Sequence, residues 1–487
     1  MSFRPSTASR PQDLDGQLSE MERAEVDRQL VRRLDLKLMP WLCLMYCVAF
    51  LDRTDVGNAK IANLTADLGT TDRQFGQVLA TFFASYSIFE PLANVLMRKF
   101  GPRRFLPTIA VIWGVLMAGM GFVHDWRLLF VPRVLLGAAE AGMFPGICFY
   151  ISCWYRRDEF GVRVAIFFSS AAVSGSVGGL LAAAMQSMDG IAGLAGWRWI
   201  FIVEGILTMI VGMASFWMVH NFPEDATFLG EVDRARVIAR LAEDRQLPWC
   251  RLETFSWKTI WTSLTDWKTW MGMIIFSGAL MPVYSISLLM PSVISTLSFT
   301  TPESIIRNQL LCVPPYVMAG AVTVIAALAS DQHHTRGYFT IALAPIAVVG
   351  FSMLLITRAA EVAYIGVFLA TIGCYASLPI VVAWIANNAE NNYKRALVLG
   401  IVIGVGNLNG IVTSKLSLEE AYFFRTYSII VAYLGIGLFG GSILFRYFLY
   451  RENMAKEAGR RDYRLDNRTA YELQVLGDRN PGFRHAL

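Results

Sequence analysis

The sequence predicts an all-α membrane protein, with twelve transmembrane helices arranged as two pseudo-symmetric six-helix bundles. Three observations carry that prediction. The 487 residues are 55% hydrophobic and 17% charged, with a mean hydropathy of +0.44, whereas a soluble domain is about 45–50% apolar and about 25% charged. Apolar stretches of about 20 residues recur along the chain, each long enough to cross a bilayer core of ~30 Å. The pattern of the first half also returns in the second. Together these exclude a soluble enzyme, and the small net charge of +5, spread over short basic clusters, excludes a nucleic-acid-binding face.

The first six spans read as 38–58, 76–97, 105–124, 128–154, 164–186 and 198–220. The second six read as 268–295, 308–329, 338–357, 361–386, 396–416 and 424–450. Two bundles therefore occupy 38–220 and 268–450, with a polar linker at 221–267 and tails at 1–37 and 451–487. The first tail carries seven basic and seven acidic side chains, which is not a signal peptide. Basic residues concentrate in alternate short loops: Arg98, Lys99, Arg103 and Arg104; then Arg156, Arg157 and Arg163; then Lys394 and Arg395. The positive-inside rule then places both tails and the linker in the cytosol. Within the linker, the charged stretch from Glu231 to Arg245 reads as a surface helix tying the halves together.

The repeat supports a carrier. NVLMRKFGPRR after span two corresponds to ASDQHHTRGYF after span eight, and the same offset carries Arg163 near Arg395 and Gly178 and Gly179 near Gly410. Paired halves of this kind build many secondary transporters, with the site at mid-membrane between them.

Charged residues within the spans mark candidate functional positions, because each costs about 2.5–3.5 kcal/mol to insert. Asp52, Arg53 and Asp55 lie late in span one, Glu90 in span two, Arg133 and Glu140 in span four, and Glu204 in span six. Arg133 and Glu140 are two helical turns apart on one face, about 10 Å along the axis, so each needs a partner elsewhere. The corresponding positions of the second half are Gly366 and Gly373, with Ser285 and Ile286 opposite Asp52 and Arg53. The scaffold is repeated without these charges.

Structural readings stand beside the functional ones. Asp52–Arg133 or Glu140–Arg53 could be static interhelical ion pairs. Asp55 and Lys60 are expected in solvent at the outer mouth, and Glu204 in a structural role. Glu90 precedes Pro91 and either serves function or satisfies backbone groups freed by the proline. Glycines in spans five and eleven are packing residues, whereas Asn407 and Asn409 are polar groups facing the other half. Tyr86, Tyr284 and Tyr316 could offer hydroxyls to a ligand, Tyr86 foremost. Asn63, in Asn63-Leu64-Thr65, is a glycosylation candidate on the outer side. The cysteines form neither a disulfide framework nor a metal site, and His333 and His334 read as a solvated loop. No phosphate-binding loop or catalytic motif is present, so no catalytic residue, metal or cofactor is expected.

Several strings in order carry a family resemblance. FLDRTDVGNAKI, FASYSIFEPLANVLMRKFGPRRF and RVLLGAAEAGMFPGICFYISCWYRR resemble the anion:cation symporter family of the major facilitator superfamily. MDGIAGLAGWRWIFIVEG, NQLLCVPPYV and GDRNPGFRHAL resemble its fungal allantoate and nicotinate permease branch. The resemblance covers nearly the whole chain from Leu38 onward. It implies that Arg53 and Arg133 contact an anionic substrate and that Asp52 and Glu140 carry proton coupling, with Tyr86 and Asn407 lining the cavity. Arg98 stands where the general superfamily loop has an acid, and LSLEEAYFFRTY replaces a proline-bearing stretch before span twelve.

The expected function is proton-coupled symport of a small organic anion, a carboxylate such as a vitamin-like acid or ureide, by alternating access. Its expected setting is a monomer in the lipid bilayer of the plasma membrane. The alternative is a proton-driven exporter of a drug or secondary metabolite, against which SGSVGGLLA in span five lacks the proline usual in such antiporters.

Overall fold

The computed structural model describes residues 19–244, 257–295, 305–357, 359–389, 392–416, 423–465 and 477–487, and the regular structure in them is helical. Among the described residues, twelve helices are long and apolar enough to cross a membrane. Spans one to three are Glu20–Ile61, Asp72–Phe100 and Pro102–Met120. Span four is Phe130–Glu140 followed by Met143–Ser152, and spans five and six are Arg157–Gln186 and Gly196–Met218. Spans seven to ten are Trp267–Ser295, Ile305–Gln332, Arg336–Ile356 and Ala360–Asn387. Span eleven is Asn392–Asn407 followed by Asn409–Thr413. Span twelve runs from Phe423–Ala432 through a π-helical stretch, Tyr433–Gly440, into Gly441–Glu457.

The repeat read in the sequence is a repeat of packing. In the first half span one packs on five and six, two on four, and three on six. In the second half seven packs on eleven and twelve, eight on ten, and nine on twelve. The halves meet where two lies on eleven, and where five lies on eight and ten.

Span one begins eighteen residues earlier than its apolar run. Ser19 caps it, its side chain accepting from Glu22 N while the Glu22 carboxylate accepts from Ser19 N, a reciprocal capping box. Leu30, Leu34 and Leu38 recur every four residues and are all buried, which gives the polar extension an apolar stripe to dock. Its acidic side meets the linker helix, Glu231–Glu243, where Arg240 binds Asp27 at 3.1 Å and Glu159 at 2.5 Å. Arg33–Asp233 and Arg156–Glu243 add to this junction. The linker helix was expected to tie the two halves together. These ion pairs bind it to the first half, and its end at Glu243 and Asp244 lines a cavity shared with Asp331 and Arg336 of the second half.

The end of the bundle that carries Glu20 and Leu487, here the terminal face, is closed by contacts between the halves. Asp331 pairs with Arg336 at 2.7 Å and its other oxygen accepts from Val162 N. Arg336 and Asn387 both donate to the carbonyl of Arg157. Asn94 of span two donates to the carbonyl of Ala396 in span eleven. Arg98, the departure noted in the loop after span two, lies over the Tyr393 ring at 4.6 Å.

The GDRNPGFRHAL string at the C-terminus folds back into this face. The backbone oxygen of Leu487 accepts from Arg336 N and Gly337 N at 3.0 and 3.2 Å, so the chain end covers the start of span nine. Ala486 O accepts from Trp384 Nε1 and Asn388 Nδ2. Asp478 binds Lys394 and Lys268, and Lys456 donates to the carbonyls of Asp478 and Phe483. Arg157, from the first half, lies 4.6 Å from the centre of the Phe483 ring.

One expectation fails here. Asp55 was placed in solvent at the outer mouth, yet it is fully buried. Three residues after Asp52 on a helix, it shares that residue's inward face, and Asn58 Nδ2 donates to its Oδ1. Lys60 is exposed, one turn farther along.

Candidate functional site

A small cavity lies between the bundles. Its walls are mostly aromatic, with Tyr46 and Phe50 from span one, Phe144 from span four, Phe168 from span five and Tyr284 from span seven. Arg53 and Asn407 supply its strongly polar groups.

The polar side chains lie where spans four and eleven each divide into two helical segments, with right-handed helical dihedrals kept at Ala141, Gly142 and Leu408 between them. Glu140 is the last residue of the first segment of span four, and Asn407 the last of the first segment of span eleven. Close packing holds both spans near these points. A Cβ at Gly137 would stand 2.5 Å from the Phe82 carbonyl oxygen, so glycine lets span four lie directly on span two. A Cβ at Gly410 would stand 2.2–2.4 Å from three atoms of the Phe83 ring, so glycine admits that ring against span eleven.

Arg53 Nε donates to Glu140 Oε1 at 2.7 Å, and Nη2 lies 2.6 Å from the same oxygen. Of the ion pairs left open by the sequence, the geometry is Glu140–Arg53. Arg53 Nη1 donates to the Tyr284 hydroxyl at 3.3 Å, which donates to Asn407 Oδ1; Asn407 Nδ2 then donates to Glu90 Oε2 at 2.9 Å. A continuous polar chain thus runs from Glu140 in the first half, through Tyr284 and Asn407 in the second, back to Glu90 in the first. Tyr86 contributes its ring, over which the Arg53 guanidinium sits at 4.7 Å, a cation–π arrangement. Its buried hydroxyl has no hydrogen-bond partner among the described residues.

The remaining site residues lie behind this chain. Asp52 Oδ2 accepts from Trp113 Nε1 at 2.6 Å and from Thr208 Oγ1 at 3.4 Å. Arg133 is 4% exposed and its guanidinium stands 5.9 Å from the centre of the Phe82 ring. It faces Glu140, Asp52 and Asp55 electrostatically and is not among the residues lining the cavity. The structure therefore brings Arg53, Glu140, Tyr86 and Asn407 together, and sets Arg133 and Asp52 one layer back. Asn63 is exposed at the far end of span one, away from the termini.

Tyr284 and Glu90 carry more of the site than the sequence reading gave them. Each had been singled out, Tyr284 as a lesser hydroxyl and Glu90 as a group beside a proline. Trp113 was not singled out, because a tryptophan in an apolar span carries no signal that its indole N–H meets a buried carboxylate.

Residues 42–414 match the family described as the Major Facilitator Superfamily. The chain belongs to that superfamily. An uncharacterized transporter of Schizosaccharomyces pombe is 32% identical, over 85% of this chain and 81% of its own length. The MFS-type transporter cnsO of Penicillium expansum is 30% identical, over 94% and 90%. A high-affinity nicotinic acid transporter of Saccharomyces cerevisiae is 29% identical, over 94% and 85%. Among solved structures, the proton:xylose symporter XylE has a TM-score of 0.61 at 15% identity, covering 86% of this chain and 96% of that one. This last likeness is one of fold. As a major facilitator protein with twelve apolar helices, the chain is a multi-pass membrane transporter, and the two bundles of six are the halves of the major facilitator fold.

Proposed function

We propose that this transporter is a proton-coupled symporter of a small, planar organic carboxylate, working by alternating access. The observation that carries the reading is the Arg53–Glu140 pair at the edge of a small aromatic cavity. A guanidinium suits a carboxylate because its forked donors match the two oxygens. Here Glu140 holds that fork. A substrate carboxylate competes for it, and protonation of Glu140 removes the competitor, so proton and anion load together. The aromatic walls then favour a flat ligand, and the 29%-identical relative named for nicotinic acid supports that class.

In this reading Glu140 carries the exchanged proton with Asp52 as a second acid behind it, Arg53 contacts the anion while Arg133 acts from one layer back, and Asn407 lines the cavity beside the Tyr86–Arg53 stack. The terminal face is cytosolic, in keeping with the basic loops, and the protein works as a monomer in the plasma membrane. One proton with a monoanion draws only on the pH gradient, about 1.4 kcal/mol per unit. A second proton adds about 2.3 kcal/mol per 100 mV, so voltage dependence reports the stoichiometry.

The test is uptake of labelled nicotinate, allantoate, pantothenate and short dicarboxylates into proteoliposomes at imposed pH gradients. The reading expects uptake of one such acid, raised by external acid and lost in Arg53→Ala. Proton-driven movement of a larger apolar compound, with no acid taken up, contradicts it and makes the protein an exporter.

A further inference from the structure

Behind the substrate cavity, three carboxylates meet in the protein interior. Asp52 and Asp55 lie on one face of span one, and Glu204 reaches them from span six. All three are buried, Glu204 and Asp55 completely. A carboxylate oxygen from each lies within 4.8 Å of those of the other two.

The donors around them are incomplete in a particular way. Trp113 and Thr208 satisfy Asp52 Oδ2, and Asn58 satisfies Asp55 Oδ1. Asp52 Oδ1 and Asp55 Oδ2 have no hydrogen-bond partner among the described residues. Glu204 gives an independent indication, since it comes from another helix and neither of its buried oxygens has a partner. Left ionised and unpaired, such a side chain is among the costliest arrangements a protein interior can hold.

Charge leads to the same place. Arg53 is engaged by Glu140, which leaves Arg133 as the guanidinium facing Asp52 and Asp55. Three carboxylates against one guanidinium leave an excess of negative charge, and a hard cation with oxygen ligands would reduce it. Calcium takes six to eight oxygens, more than the four unpartnered ones here. A singly charged alkali ion, with one proton shared among the acids, completes the charge balance.

We propose that Asp52, Asp55 and Glu204 form a binding site for an alkali metal cation of sodium size, distinct from the Arg53–Glu140 pair. Asp52 precedes Arg53 in the chain, so occupancy of this site alters the field at the substrate arginine. The proposal stands on the geometry of the acids and does not require the substrate to be a carboxylate.

The experiment is thermal unfolding of the purified full-length protein at near-neutral pH, in sodium, lithium, calcium or choline chloride at constant ionic strength. The proposal expects a saturable rise of about 2–4 °C in sodium over choline. That rise is lost in Glu204→Gln and kept in Glu140→Gln. Should Glu204→Gln fail to fold, Asp55→Asn replaces it, and the sodium titration of the unaltered protein is decisive by itself. Equal midpoints in sodium and choline, or stabilisation by calcium without sodium, overturn the proposal. A response to acidification alone also overturns it and leaves a proton-sharing cluster.

Discussion

Arg53 Nη2 lies 2.6 Å from Glu140 Oε1, joining span one to span four through side chains that are 9% and 1% exposed. A pair this deeply buried gains from Coulomb attraction and loses from desolvation, so it is weak evidence for a purely stabilising role. On the proposed reading Arg53, which lines the cavity, exchanges this partner for a substrate carboxylate.

The Tyr284 hydroxyl connects Arg53 to Asn407 across the two halves. Tyr284→Phe removes that connection while keeping the ring on the cavity wall. A net hydrogen bond is worth about 0.5–1.5 kcal/mol, so KM for the transported anion is expected to rise roughly 3–10-fold. Counterflow kinetics at symmetric pH would measure it. An unchanged KM would show that the polar chain does not reach the substrate.

Arg53 and Arg133 are expected to respond differently to lysine. Arg53 lines the cavity and presents two nitrogens to one oxygen, which a lysine cannot reproduce. Arg133 stands behind the wall, facing carboxylates. Arg53→Lys should raise KM at least about tenfold, the equivalent of about 1.4 kcal/mol, and Arg133→Lys by less. The reverse order would place the substrate against span four.

Much of this was legible beforehand, for physical reasons. The spans show as apolar length, and Arg53, Glu140 and Asn407 show because charge and amide groups are rare inside lipid. Asp55 was misread because sequence gives depth along a helix but not which face turns inward. Trp113 and the C-terminal string gave no warning of their roles. An indole in an apolar span resembles packing, and a polar tail resembles solvent until its backbone oxygens are seen capping Trp384, Arg336 and Gly337.

The docked tail carries a pH dependence. Burial, and then Lys268, Lys456, Lys394 and Arg157, hold the His485 imidazole well below its usual range, and Asn388 Oδ1 faces its Nδ1. The docked state thus prefers neutral histidine. Docking is fully favoured above the free histidine value of about 6.5 and weakens progressively as pH falls below it. Limited proteolysis of the purified protein should release the tail more readily at pH 5.5 than at pH 7.5. His485→Gln should flatten that difference, and an equal rate at both pH values in the unaltered protein would contradict the assignment.

Gly410→Ala places a methyl group 2.2 Å from the nearest atom of the Phe83 ring. Overpacking of this kind costs typically about 1–3 kcal/mol, and a lowered unfolding midpoint is expected. Phe83→Leu in the same chain should restore part of it. No change in midpoint would mean that spans two and eleven are not held as closely as described.

The most direct test of the exchange at Arg53 compares two assays of Glu140→Gln in proteoliposomes. The account predicts that this variant still exchanges labelled for unlabelled substrate across the membrane, because Arg53 remains available to the anion. It also predicts that an imposed pH gradient no longer drives accumulation. Accumulation that continues to follow the gradient in Glu140→Gln would contradict the account, because Asp52 would then carry the proton with no exchange of partners at Arg53.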